Sequence, residues 1–224
     1  MADLSKLYRY RFKEADRAKK LEIWREICRG YLQAKVGQNQ TILDLASGYG
    51  EFSQNIVASR KIAVDLNPDA KRMLPDDVEF HNVSATEFSK SVGHGAVDVV
   101  FTSNFLEHLP TKSDLDRVFA EVMNVLKPGG RFLILGPNIK YLATEYWDFY
   151  DHYLPLSHMS VEEGLIQSGF EVSEIIPRFL PYSTRSALPQ APIFVATYLK
   201  VPLAWRILGK QFLITGRKPL VQKI

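Results

Sequence analysis

Three features of one short stretch could do chemistry together: Asp44, the small-residue turn Ala46-Ser47-Gly48-Tyr49-Gly50, and Asp65 further along. Ile42-Leu43-Asp44-Leu45 is an apolar run that ends in the turn, and Glu51-Phe52 onward has the composition of a helix. Strand, tight turn and helix start bring a backbone close to a ligand, because glycine carries no Cβ and a helix start offers free N–H donors. Asp65 closes the next apolar run, Lys61-Ile62-Ala63-Val64. An acid about 20 residues beyond such a turn is placed to hold ribose hydroxyls. The pattern therefore predicts a nucleoside-cofactor site. It departs from the dinucleotide fingerprint, since Ser53 stands where a third Gly or Ala belongs.

The elements that must position these residues read as alternating strands and helices. Strands are predicted over 41–45, 61–64, 78–82, 96–101, 131–136, 170–176 and 212–216, and a helix over 52–59. Ala96–Phe101 is almost wholly apolar, as for a central parallel strand covered on both faces. Lys112–Leu126 places Leu115, Val118, Phe119, Val122 and Val125 on one helical face and stops at Pro128-Gly129-Gly130. Ser160 and Glu163 suggest a capping box. The fold class implied is α/β, a doubly wound, mostly parallel sheet with one ligand crevice at the strand C-termini. A helical segment over 1–38 precedes the sheet, and an apolar, basic cap over 181–208 precedes the last strand, all within one domain, 1–224.

With 46% hydrophobic and 24% charged residues, the composition is that of an ordinary soluble protein. One cysteine, Cys28, excludes an intramolecular disulfide framework and suits a reducing cytoplasm. With charges from Asp3 onward, no apolar signal segment is expected. Net charge is +3, but from Pro177 onward there are eight Lys or Arg and no acid, which points to an anionic partner or a solvated basic face.

Asp44, Ala46, Gly48 and Gly50 resemble motif I of the class I S-adenosylmethionine (SAM) methyltransferases, with Ala46 in place of the first glycine. "AVDVVFTSNFLEHLP", "LKPGGRFLILGPN", "GLIQSGFEV" and "FLITGRKP" are similar to that family's later blocks, in the same order. The resemblance implies a seven-stranded sheet with the last strand antiparallel, and SAM as cofactor. It places Ala46, Ser47, Gly48 and Gly50 beneath the methionyl part, with Asp44 ordering the turn. Asp65 would hold the ribose, Leu66 would pack on the adenine, and Ser84 and Ala85 would lie at the adenine edge. Asn104 and Phe105 would lie by the amino-acid end and the methyl, and Tyr8 and Arg11 would belong to a closing N-terminal segment. Glu107 reads as a loop brace.

The acceptor is less legible. Ser103-Asn104-Phe105-Leu106 lacks the Asn/Asp-Pro-Pro-aromatic motif of adenine-directed DNA methyltransferases, so no nucleic-acid partner is expected. Tyr141–Tyr153 is rich in aromatic rings with polar tips, which suit a sugar face or an aromatic substrate. A softer resemblance to bacterial methyltransferases of polysaccharide and cell-envelope gene sets points to O-methylation of a saccharide, with an anionic or lipid-linked acceptor and peripheral membrane contact left open. A small aromatic or isoprenoid acceptor, or SAM binding without turnover, are the alternatives. Pro192, Pro202, Lys200 and Arg206 argue against a transmembrane helix in the cap. A hydroxyl acceptor gains from a general base. The candidates are His152, His158 and His108, with Asp151 orienting, and position favours His152. An Asp–His pair is too small a ligand set to claim a metal, so none is predicted, and oligomeric state is left open.

Overall fold

The computed structural model describes residues 14–182 and 191–220. Seven strands form one sheet: β1 Thr41–Leu45, β2 Arg60–Val64, β3 Val78–His81, β4 Val97–Ser103, β5 Leu126–Pro137, β6 Glu171–Ile176 and β7 Gln211–Arg217, in the order β3-β2-β1-β4-β5-β7-β6. The first five pair in parallel, while β7 runs antiparallel to both β5 and β6. From β1 the chain winds outward to β2, and from β4 it winds the other way to β5. A crevice therefore opens where β1 and β4 end, as expected for a doubly wound sheet.

Both faces are covered. On one, helix α1 (Glu14–Ile27) continues through a π turn, Cys28–Leu32, into α2 (Gln33–Val36), and buries Trp24, Ile27, Cys28, Leu32 and Val36. Burial raises the Cys28 thiol pKa, consistent with a packing role. Phe52 stacks on Phe101 at 4.0 Å, and Trp24 meets the same ring edge-on. Arg131 donates to the Lys35 and Val36 carbonyls at the helix end, where the dipole favours a cation. On the other face, α3 (Ser89–Val92), α4 (Lys112–Val125) and α5 (His158–Gln167) close over a core that includes Phe88, Phe119, Phe132 and Phe212.

Two expectations differ from what is found. Residues 52–59 form no helix but a run of turn bonds, Gln54 N to Gly50 O at 2.9 Å, Asn55 N to Phe52 O at 3.0 Å and Ile56 N to Phe52 O at 3.1 Å. Side chains compete with the backbone here: Gln54 donates to Tyr49 O and Asn55 to Glu51 O, each at 2.8 Å. Gln33 then clasps the outgoing chain, accepting from Val57 N at 2.9 Å and donating to Val57 O at 3.0 Å. The capping box of α5 is Ser157 with Ser160, one turn earlier than the Ser160–Glu163 pattern suggested.

The cap expected over 181–208 contains α6 (Pro192–Leu199) and α7 (Pro202–Leu208), while residues 183–190 lie outside the described part. Leu199 and Trp205 anchor the two helices in the core, and Ile193, Phe194, Leu203 and Ile207 are exposed. Among the described residues, no helix is long and apolar enough to cross a membrane.

Candidate functional site

The turn after β1 is held by the two acids read from the sequence, in different ways. Asp65 is buried, and its carboxylate accepts from Gly48 N and Asn67 N, both at 2.7 Å. Asp44 faces inward and accepts from Ser53 Oγ at 2.7 Å; burial, above all, pushes its pKa up to about 7. Ser47 N bonds to Val64 O at 3.1 Å and Gly50 N to Ser47 O at 2.8 Å, so the turn is tied both to β2 and to itself. The expectation that Gly50 leaves room for a ligand needs correction: a Cβ there would lie 2.2 Å from Leu74 Cδ2, so the neighbour it admits is a side chain of this protein. Leu74 carried no signal in the sequence.

Ala46 adopts φ 56°, a left-handed conformation that glycine takes freely and alanine resists. Ala46→Gly should therefore stabilise the fold by about 0.5–1 kcal/mol, the relief of strain exceeding the added freedom of the unfolded chain. Urea unfolding of the two proteins checks this.

Leu66, beside Asp65, leaves 54% of its surface exposed, an unspent apolar face at the crevice. Ser84 turns its hydroxyl to Thr86, accepting from Thr86 N at 3.2 Å, and Ala85 is buried. Asn82 Nδ2 donates to Asp65 O at 2.9 Å, a brace for the acid that the sequence did not reveal. Tyr8 and Arg11 lie outside the described residues.

At the tip of β4, exposed Asn104 takes φ 48°, its N–H bonded to Leu135 O at 2.9 Å, and Phe105 is half-buried. A short 3-10 turn, Leu106–His108, follows. The Glu107 carbonyl accepts from Tyr153 N at 2.8 Å and Leu154 N at 3.1 Å, which clamps the distant 151–154 segment onto the strand tip. His108 Nδ1 consequently lies 2.9 Å from Asp151 O and 3.2 Å from Asp151 Oδ2. The His108 and His152 rings meet edge-to-face at 4.9 Å, and His152 also stacks on Phe149 at 4.9 Å. Burial draws the His108 pKa down, but the Asp151 hydrogen bonds and the Glu107 and Asp151 charges outweigh it and leave it raised. Glu107 is 2% exposed, and its Oε1 has no hydrogen-bond partner among the described residues; burial raises its pKa.

The sequence separated His108 from His152 and read Glu107 as a brace. The clamp brings all three together, with Asp151 behind His108. His158 is placed apart from this cluster, at the first position of α5, where its Nδ1 accepts from Asn138 Nδ2 at 2.9 Å and its ring lies parallel to Tyr141 at 6.3 Å. Burial, and then the Lys140 charge, lower its pKa. The aromatic segment divides as well. Tyr146 is fully buried and hydrogen-bonded to Leu154 O, while Trp147, Tyr150 and Tyr153 are exposed.

Residues 43–134, β1 through most of β5, match the family model described as a methyltransferase domain. Over that stretch the chain is similar to a methyltransferase domain, and solved SAM-dependent methyltransferases share its fold. Over 128 residues it is 30% identical to a ubiquinone/menaquinone biosynthesis C-methyltransferase, UbiE, of Brucella anthropi, which covers 50% of this chain and 46% of the relative. The chain thus spans about half the length of that curated relative. A SAM-dependent methyltransferase from Archaeoglobus fulgidus superposes with a TM-score of 0.66 at 20% identity, covering 88% of this chain and 94% of that one. Another, from Mesorhizobium loti, gives 0.60 at 18% identity over 84% and 95%.

SAM is the cofactor expected of such a methyltransferase domain. The residues present suit it. Ser47 Oγ is buried in the turn without a partner among the described residues, Asp65 keeps lone pairs beyond its two amide bonds, and exposed Leu66 adjoins it.

Proposed function

We propose that this protein transfers a methyl group from SAM to a hydroxyl of a saccharide or related envelope-glycan intermediate. Asp65 would hold the ribose, Leu66 the adenine, and the Ala46–Gly50 turn and Asn104 the methionyl part. The observation that carries the reading is the gathering of Glu107, His108 and His152 at the tip of β4, adjoining the β1 turn. Bound SAM supplies an electrophilic methyl. What the chain must supply is alignment of the acceptor oxygen and a destination for its proton. His152 is the candidate for contact with the acceptor, and Asp151 positions His108. Exposed Trp147 and Tyr153, next to this cluster in sequence, offer faces for a sugar ring. The acid-free basic stretch from Pro177 onward favours an anionic acceptor.

A second reading, C-methylation of an aromatic ring bearing an apolar tail, is favoured by the named activity of the Brucella relative and by the exposed apolar residues of α6 and α7. Methyl-labelled SAM incubated with fractionated cell extract separates the two: label in a glycan methyl ether supports the first, and label on a ring carbon in the lipid fraction supports the second. Label in no fraction overturns both.

With an acceptor in hand, His152→Ala should lower turnover by about 10²–10⁴-fold at unchanged SAM affinity, whereas His158→Ala should leave turnover near wild type. The reverse order would move the acceptor site to the start of α5.

A further inference from the structure

We propose that Glu107, His108 and His152 form a binding site for one divalent transition-metal ion of the zinc class, set to receive the acceptor oxygen. The proposal rests on the acceptor site argued above and adds the agent that acts there. One ligand atom from each of the three residues lies within 4.8 Å of the others. Metal–nitrogen and metal–oxygen bonds of about 2.0–2.2 Å put the ligands of a tetrahedral shell roughly 3.3–3.6 Å apart, so the pairwise separations need to close by up to about 1.5 Å, shared between the side chains.

The cluster is built rather than incidental. Glu107 is 2% exposed, and its Oε1 has no hydrogen-bond partner among the described residues; His108 Nε2 lies 4.0 Å from it. A carboxylate buried in that condition is costly unless a charge faces it. An ion between the three side chains would supply that charge. His108 already has the arrangement typical of a metal-bound imidazole: Nδ1 is engaged by Asp151 through the backbone carbonyl at 2.9 Å and Oδ2 at 3.2 Å, which leaves Nε2 facing Glu107 as the ligand. The His152 ring is held by Phe149 at 4.9 Å and Tyr146 at 4.8 Å, so its direction is fixed by packing.

Ligand chemistry selects the ion. Two imidazoles and one carboxylate suit zinc and its first-row neighbours, while magnesium and calcium prefer oxygen ligands. Three protein ligands leave a coordination position open, the mark of a site that binds substrate rather than one that only braces the fold. His108 retains 26% side-chain exposure, so the cluster is not sealed. A hydroxyl oxygen taken at the open position becomes more acidic and gives its proton to solvent, which removes the need for a free histidine base.

The test uses the full chain, stripped with chelator and titrated with Co²⁺ in the absence of SAM, while SAM affinity is measured separately on the same preparation. Failure of the metal site and failure of the cofactor assignment are thereby distinguishable. One Co²⁺ per chain is expected, with a visible absorption spectrum showing nitrogen ligation and displacement by Zn²⁺. Glu107→Gln and His152→Ala should each weaken binding at least tenfold, and Asp151→Asn by about 10–100-fold. His158→Ala should leave it unchanged. Zn²⁺ should also raise the unfolding temperature of the wild type, and not that of Glu107→Gln, so the proposal stays open to test if His152→Ala fails to fold. Absence of saturable binding near one equivalent, binding that survives Glu107→Gln, or no thermal shift in the wild type overturns it.

Discussion

Asp65→Ala is expected to weaken binding of both SAM and S-adenosylhomocysteine by at least about 3 kcal/mol, more than a hundredfold, because one carboxylate does two jobs. It is the proposed ribose acceptor, and it also ties Gly48 N and Asn67 N, each at 2.7 Å, to the end of β2. Hydrogen bonds to a charged acceptor contribute about 1.5–3 kcal/mol each. Their loss frees the turn that must be ordered beneath the cofactor. Asp65→Asn should fall almost as far, since one oxygen would become an N–H facing the Gly48 N–H. Calorimetry with both nucleosides decides the matter. Unchanged affinity in Asp65→Ala would remove the basis for the cofactor assignment.

Asp44→Asn is expected to stabilise the protein, and more so as pH rises. The folded state pushes the Asp44 pKa from 3.8 up to about 7, chiefly through burial. Between those values the folded protein binds more proton than the unfolded chain, so stability falls with rising pH. The favourable contribution of the protonated carboxyl is fully present below about 4 and is lost as pH passes through about 7. A displacement of that size corresponds to at most ~4 kcal/mol. An amide keeps an acceptor for Ser53 Oγ and has no charge to bury. The stability difference between Asp44→Asn and wild type in urea should therefore be small at pH 4, grow through neutrality and level off by pH 8. A pH-independent difference would show that the carboxylate is ionised in the fold at little cost. Asp65 and Glu107, whose pKa values burial also raises, tilt the wild-type profile in the same direction.

What the sequence disclosed follows from where its signals are local. All seven strands were legible, most of them as apolar runs, because such runs and turn residues are read residue by residue. The β1 turn and Asp65 were legible for the same reason: a close approach of backbone demands small residues at fixed spacing. The helix expected after the turn was not formed, because Gln54, Asn55 and distant Gln33 satisfy backbone groups in its place, and Gln33 lies on another element. The acceptor-side cluster was half visible. Both histidines stood out, yet nothing in the sequence joins Glu107 to Tyr153; that contact depends on two backbone hydrogen bonds bridging some 46 residues. Glu107 acquires its chemical interest only through burial, which composition does not report. Leu74 over Gly50 was hidden for a related reason, since an apolar residue after a short turn has many possible neighbours.

The order in which the strands are made differs from the order in which they pair. β6 is held in the sheet by β7, and β7 is the intervening strand between it and β5. While the chain leaves the ribosome, β6 therefore emerges before its native partner, and the outer side of β5 stays unpaired until residues 211–217 have been synthesised. The β1–β5 half can assemble early from neighbouring βα units, but closure waits for a single late insertion. An arrest or cleavage between residues 177 and 210 would leave β6 and the β5 edge bare together, in the form most prone to join another chain.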